Sequence, residues 1–311
     1  MTSLLLALMM QYVVATKAGL VNDVQGLTNV KATMMVAPLT PVRTGPTGLV
    51  ELLLTPGAYM RLGANSEAVL DSVELTDVSV HLNAGEAVIE VVEINKEYPV
   101  KVTTQQTSVE LTDPGIFAFK DGTVRVIEGK LSTVGAQPVV YKKGWEVSYS
   151  TNYRARKVSD AQLVSQVAGL DGYSMQRSAL MARANASLVP VVQRTSFNSV
   201  NAFWLYSPTI GGLTYMPLRN VRSPYGFSYV GFAQPSRFTN NGNTVANVGG
   251  SNTGPASGSS NSSGGSSVSN VNSSGQTTFS TPSSGSERMT RSEIQTSKAP
   301  PAGVTQPPPQ Q

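Results

Sequence analysis

From Lys17 to about Val134 the apolar side chains come in short runs broken by turn residues, with little of the three-to-four spacing of an amphipathic helix. Leu49-Val50-Glu51-Leu52-Leu53-Leu54 leads into Thr55-Pro56-Gly57, where Pro before Gly suits the two central positions of a type II turn. Met60-Arg61-Leu62-Gly63, Val69-Leu70, Val78-Ser79-Val80, Ala87-Val88-Ile89-Glu90-Val91 and Val100-Lys101-Val102 follow at short intervals. Val124-Arg125-Val126 alternates plainly before Glu128-Gly129. Strands this short and regularly spaced predict a mainly β fold, a compact sandwich or barrel-like domain over 17–135 whose apolar residues are core and not a cofactor pocket.

Ser72-Val73-Glu74-Leu75-Thr76-Asp77 recurs as Ser108-Val109-Glu110-Leu111-Thr112-Asp113. Each copy precedes strand-like residues and a Gly, so the echo predicts two similar β-units that stack or pair. Two copies are too few for a solenoid.

The pattern changes beyond residue 135, and residues 136–238 read as a mixed segment. Ser159-Asp160 can cap a helix over Ala161–Ala168. Gly169 and Gly172 then interrupt it, and a second helical stretch, Tyr173–Leu188, stops before Pro190. Ten of the twenty-one aromatic residues fall within 197–238, interleaved with Pro and Gly, which suits short extended pieces. From Thr239 to Ser286 no residue is charged and Ser, Gly, Asn and Thr dominate, before a Pro-rich end. Such a composition buries too little apolar surface to offset chain entropy, so 239–311 is read as a disordered tail.

The N-terminal run Leu4-Leu5-Leu6-Ala7-Leu8-Met9-Met10, continued by Tyr12-Val13-Val14-Ala15, is far shorter than the roughly 20 apolar residues of a spanning helix. It fits a first buried strand or the core of a signal sequence over 1–16. The second reading is preferred, although Met1-Thr2-Ser3 supplies no positive charge; a start codon upstream of Met1 accounts for that.

Charge is uneven along the chain. Residues 1–171 hold seventeen acidic and fourteen basic side chains, whereas 172–286 hold no acid and six arginines, Arg177, Arg183, Arg194, Arg219, Arg222 and Arg237. Two readings follow. In one, a compact aromatic segment packs on the acidic β-domain with its arginines, Arg219 and Arg222 among them, paired to carboxylates. In the other, Arg219, Arg222, Trp204, Tyr206 and Tyr225 form a surface that binds an anionic polymer by bidentate contacts and stacking.

Catalytic chemistry finds little footing. The chain has no cysteine and one histidine, His81, set in the alternating Val78-Ser79-Val80-His81-Leu82, which removes Cys/His metal sites and Cys nucleophiles and makes His81 a solvent-facing strand residue. Glu90, Glu93 and Glu97 read as solvated strand charges, and Gly211-Gly212 and Gly249-Gly250 lack the lysine of a phosphate loop. No catalytic residue, metal site or cofactor is assigned.

Several blocks together resemble the FecR domain. Val42-Arg43-Thr44-Gly45-Pro46-Thr47-Gly48-Leu49-Val50-Glu51-Leu52-Leu53-Leu54, then Gly57, then Arg61-Leu62-Gly63-Ala64-Asn65-Ser66 look like its core signature. Ala18–Gly26 is similar to its opening strand, and Val100–Thr104 with Val124–Leu131 to its second half. Asp113-Pro114-Gly115-Ile116-Phe117 keeps the family's Gly and aromatic but loses the Thr between them. Founding members place a cytoplasmic anti-sigma segment and a membrane span ahead of the domain, and neither is read here. The resemblance therefore implies an envelope-facing β-module without transmembrane signalling by this chain.

The expectation is an exported, periplasmic or extracellular, non-enzymatic binding or scaffold protein of the bacterial envelope. Its partner is an envelope protein or polymer, with no transmembrane span. Anionic-polymer binding through the Arg/aromatic segment is the alternative, with nucleic acid a target only if the N-terminus is not a signal. An enzyme working through carboxylates alone stands third.

Overall fold

The computed structural model describes residues 17–149, 153–194, 199 and 201–233. The signal sequence expected over 1–16 and the tail expected over 239–311 lie outside the described residues. Strands β1 (Leu20–Gln25), β2 (Val42–Arg43), β3 (Leu49–Leu53), β4 (Ala58–Leu62), β5 (Glu67–Ser72), β6 (Ser79–Ala84), β7 (Glu86–Val91) and β8 (Val100–Thr104) are followed by β9 (Ser108–Leu111), β10 (Gly115–Lys120), β11 (Thr123–Glu128), β12 (Lys130–Thr133), β13 (Val140–Lys142), β14 (Trp145–Tyr149) and β15 (Tyr153–Lys157). They form two sheets, a large one ordered β1-β3-β4-β7-β10-β11-β14-β15 and a small one ordered β13-β12-β9-β8-β6-β5-β2. Pairing is antiparallel throughout the two sheets except between β6 and β8.

The sheets face each other across one apolar core. Val50, Leu52, Met60, Ile89, Phe117 and Phe119 of the large sheet meet Leu70, Val80, Val102, Val109 and Leu111 of the small one, so the mainly β sandwich expected from the sequence is present. The sandwich continues beyond residue 135, because β13 extends the small sheet while β14 and β15 extend the large one. Two sharp connections depend on glycine. Gly57 has φ +96°, and Ala58 N–H donates to Thr55 C=O at 2.7 Å, the closed type II turn that Thr55-Pro56-Gly57 predicted. Gly129, with φ +84°, carries the chain from β11 across to β12; a Cβ there would lie 2.2 Å from the Pro114 carbonyl oxygen.

The repeated hexapeptide behaves differently in its two places. Ser108–Leu111 is strand β9, with Leu111 fully buried, whereas Ser72 ends β5 and Glu74–Asp77 turn toward β6, leaving Leu75 partly exposed. Strands β6 and β8 separate β5 from β9, so the copies neither pair nor repeat a unit. Only the inward valines, Val73 and Val109, play the same part.

After the sandwich come helices α1 (Asp160–Ser165) and α2 (Ala168–Arg194), then hairpin strands β16 (Phe203–Ser207) and β17 (Gly212–Met216), and the short pair β18 (Val221–Arg222) and β19 (Ser228–Tyr229). Ser159 caps α1 as expected, in a reciprocal box with Gln162. The helix predicted to break at Gly169 and Gly172 and to stop before Pro190 instead runs unbroken through all three as α2. Both glycines lie near the start of α2, and Leu170, Tyr173, Met181, Leu188 and Val192 are buried along it, so tertiary burial outweighs their weak propensity and the bond lost at Pro190.

Candidate functional site

Alternation on the large sheet sends Val50, Leu52, Met60 and Ile89 into the sandwich core, and Glu51, Leu53, Tyr59, Arg61, Val88 and Glu90 to the opposite face. That face is covered. Leu53, Tyr59 and Val92 pack with Met181, Trp204, Leu213, Tyr215 and Tyr229, while Val88, Ile116 and Ala118 pack with Val167, Leu170 and Tyr173. The ring of Tyr59 meets Trp204 edge-on at 5.0 Å, Trp204 meets Tyr215 at 5.9 Å, and Tyr215 meets Tyr229 at 5.7 Å. The aromatic-rich segment thus supplies the second half of a core that the sandwich begins.

A chain of buried charges lies within this apolar cover. Glu51 and Arg61 stand directly opposite each other on β3 and β4, and Arg61 Nε donates to Glu51 Oε2 at 2.8 Å. Arg61 Nη1 donates to Glu90 Oε2 at 2.8 Å, and all three side chains have no solvent exposure. From α2, Arg177 Nη2 donates to Glu51 Oε1 at 2.8 Å and Ser178 Oγ to Glu90 Oε1 at 2.6 Å. From β1, Asn22 Nδ2 donates to Glu51 Oε1 at 2.8 Å and to the Leu213 carbonyl at 3.0 Å, and Asn22 Oδ1 accepts from Leu213 N–H. Asp23, 3.7 Å from Arg177 Nη1, accepts from the Tyr173 hydroxyl at 2.7 Å. Sandwich and cap are therefore joined by charge-assisted bonds that neither part can complete alone.

The electrostatics of the two glutamates differ. Burial raises the Glu51 carboxyl, but the Arg61 and Arg177 guanidiniums outweigh it and hold the group down at about 2. For Glu90 burial wins over Arg61 and the Ser178 hydroxyl, and its carboxyl is raised. Glu51 has two cationic partners and Glu90 shares one.

Glu90 was expected to be a solvated strand charge and is instead fully buried, because its sheet is covered on both faces. Glu93 lies beyond the end of β7, partly buried, where it accepts from the Tyr215 hydroxyl, and Glu97 is exposed. A usable signal was present: the nearly continuous apolar runs Leu49–Leu54, Ala58–Leu62 and Ala87–Val92 carry Glu51, Arg61 and Glu90 singly, the pattern of strands buried on both sides. His81 lies half-buried on the outward face of β6, opposite Val69 and Thr103.

The five residues singled out as a binding surface do not share one face. Trp204 is fully buried with its Nε1 lacking an acceptor among the described residues, whereas Tyr206 is 42% exposed. The Tyr225 hydroxyl donates to Asp171 Oδ1 at 2.7 Å. Arg222 is exposed and donates to the Gly226 carbonyl at 2.9 Å, and the Arg219 side chain is 84% exposed with Glu93 at 4.0 Å. The expectation that Arg219 and Arg222 tie the segment to the β-domain is thus corrected for Arg222, which bonds only within its own segment, and holds for Arg219 only as an exposed 4.0 Å pair with Glu93; the buried connection is made by Arg177, which lies on the buried face of α2.

Open clefts lie around the joint. One of about 310 Å³ is lined by Thr55, Glu93, Tyr98, Tyr215 and Leu218, and another of about 280 Å³ by Glu128, Lys143, Asp160, Asp171 and Tyr225. In the second, Glu128 is paired with Lys143 at 3.0 Å, Asp160 sits in the first turn of α1, and Asp171 holds Tyr225. Glu128 and Asp171 thus already have structural partners. No group of three or more His, Asp or Glu among the described residues is placed to hold a metal ion.

Residues 40–132 match the family described as FecR protein. The chain carries a FecR domain. The matched residues run from β2 to β12, so β1 and the strands β13–β15 flank the FecR domain within the same two sheets. Two crystal structures of a proposed anti-sigma factor from Parabacteroides distasonis are similar at 17% and 16% identity, each with a TM-score of 0.35, over 42% of this chain. The FecR-domain chain spans 64% and 65% of the length of those structures. None of the curated proteins matches. No helix among the described residues is long and apolar enough to cross a membrane.

Proposed function

We propose that this FecR-domain protein is an exported, non-enzymatic binding or scaffold module of the bacterial cell envelope. The observation that carries this reading is the sealed outer face of the large sheet. There the charged groups best suited to chemistry, Glu51, Arg61, Glu90 and Arg177, are consumed in holding the cap to the sandwich. What remains for a partner is outer surface with open clefts, which suits recognition of an envelope protein or polymer better than turnover of a substrate.

Cell fractionation of the protein expressed from its own start, with N-terminal sequencing, tests the reading. A processed protein outside the cytoplasm is expected. A cytoplasmic protein that retains Met1 overturns it.

A further inference from the structure

The cleft of about 310 Å³ at the joint takes its walls from both parts of the molecule. Thr55 and Pro56 of the β3–β4 turn and Glu93, Asn95 and Tyr98 of the β7–β8 connection come from the sandwich, and Asn201, Tyr215 and Leu218 come from the cap. Pro56, Ile94 and Leu218, each partly buried, supply apolar lining between these polar groups.

Several of the polar groups are left uncommitted. The Tyr98 ring is 39% exposed and stacks on no other ring among the described residues. Asn95 Oδ1 accepts from Glu97 N–H at 3.0 Å, which leaves the Nδ2 donor without a partner among the described residues. Asn201 is exposed, and it is its main chain, not its amide side chain, that bonds Ser199. Thr55 is only 8% exposed, and its hydroxyl has no hydrogen-bond partner among the described residues, a buried group left for an incoming hydroxyl or water to satisfy.

Charge narrows the choice of occupant. Glu93 is the one charged residue in the lining. One of its carboxylate oxygens accepts from the Tyr215 hydroxyl, and the other lies 4.0 Å from Arg219 Nη2, so the carboxylate is already partly balanced. A ligand of either sign gains little here. We infer that this cleft binds a neutral pyranose unit of a glycan, with the apolar C–H face of the sugar against Tyr98 and its hydroxyls on Asn95, Asn201 and Glu93. A sugar hydroxyl both donates and accepts, which suits two amides beside a carboxylate; the exposed ring suits the sugar's apolar face. The inference rests on the envelope reading and names the partner's chemistry. A peptide is the less suitable occupant, because extended peptides are held by the main chain of an open strand edge, whereas these walls, Tyr215 apart, are turns and connections.

Calorimetric titration of the full chain with cellohexaose, maltohexaose and chitohexaose tests the cleft, with hexamers of glucosamine and of galacturonic acid as the cationic and anionic comparisons. At least one neutral hexamer is expected to bind with an affinity unmoved by salt, more tightly than either charged one. It is also expected to raise the melting temperature, since it binds the folded chain. Tyr98→Ala is expected to weaken binding roughly tenfold while melting like the parent. Asn201→Ala, on the opposite wall, is expected to weaken it about threefold to tenfold. Tyr206→Ala removes a ring just as exposed but outside the cleft, and should leave binding unchanged.

The cleft is overturned if no neutral hexamer binds, if a charged hexamer binds more tightly, or if Tyr206→Ala costs as much as Tyr98→Ala. Binding by Asn201→Ala at the parent's affinity also overturns it, and that variant decides alone should Tyr98→Ala lower the melt. A cytoplasmic chain that binds a neutral hexamer undoes the envelope reading and leaves the cleft standing, whereas an exported chain that binds none does the reverse.

Discussion

Lys101 and Arg61 both sit mid-strand and point away from the sandwich core, but into different surroundings. Lys101, on the open face of the small sheet, reaches an exposed Asp77 at 2.9 Å. Arg61, on the large sheet, lies out of reach of water between Glu51 and Glu90. The small sheet alternates buried and partly or fully exposed residues along β5, β6, β8 and β9, whereas β4, β7 and β10 of the large sheet are buried almost end to end. A strand charge facing water is nearly free of consequence; one that faces a packed cap must be paired with opposite charge or it destabilises the fold.

The sharpest way to break this contrast is to remove one charge from each face. Arg177→Ala leaves Glu51 buried with half of its cationic support, and a loss of about 3–5 kcal/mol in urea unfolding is expected. Lys101→Ala on the open face is expected to cost less than about 0.5 kcal/mol. A loss below about 1 kcal/mol for Arg177→Ala would mean that the apolar clusters alone hold the cap.

Next in size is the response to acid. A carboxyl held at about 2 against an ordinary 4.5 stabilises the fold fully above 4.5, and that stability is lost as pH falls toward 2. The loss corresponds to about 3 kcal/mol, and urea unfolding from pH 7 to pH 2 should show it in the parent but not in Glu51→Gln. Glu90 has the opposite sign: its folded value is raised, so protonation as pH falls favours the folded state. Glu90→Gln should accordingly steepen the parent's net loss on acidification, because the opposing contribution of Glu90 is gone, and cost less at neutral pH than Glu51→Gln. Equal costs for the two would contradict the assignment of two cations to Glu51 and a shared one to Glu90.

The smallest expected effect concerns the cap alone. A Cβ at Gly172 would meet nothing within 4 Å, and the residue is helical, so Gly172→Ala should raise stability by about 0.5–1 kcal/mol in the same assay. A loss on that substitution would show that the start of α2 needs glycine for a reason other than space.

Much of the sandwich was legible in the chain because its instructions are local. The turn at Thr55-Pro56-Gly57 follows from the backbone preferences of two adjacent residues, and the cap at Ser159 from a hydroxyl and an amide three residues on. The alternation of β6 and β8 follows from a sheet with one wet face. The FecR resemblance was legible for the same reason, being carried by contiguous blocks.

What stayed hidden depends on residues far apart. Arg177 and Glu51 are 126 positions apart, and nothing near either names the other, so the arginine that ties cap to sandwich could not be told from Arg219 or Arg222. The two Ser-Val-Glu-Leu-Thr-Asp copies make the point from the other side, since one string is strand β9 in one place and a strand end with a turn in the other.

By itself the sequence determined that this chain folds as a β-sandwich with short strands, where its chief turn lies, and that an arginine- and aromatic-rich segment follows. Only the tertiary structure decided which face of the large sheet that segment covers and which charges are buried there. Periodicity records which way a side chain points, whereas burial and pairing depend on what comes to stand opposite it, and distant parts of the chain supply that.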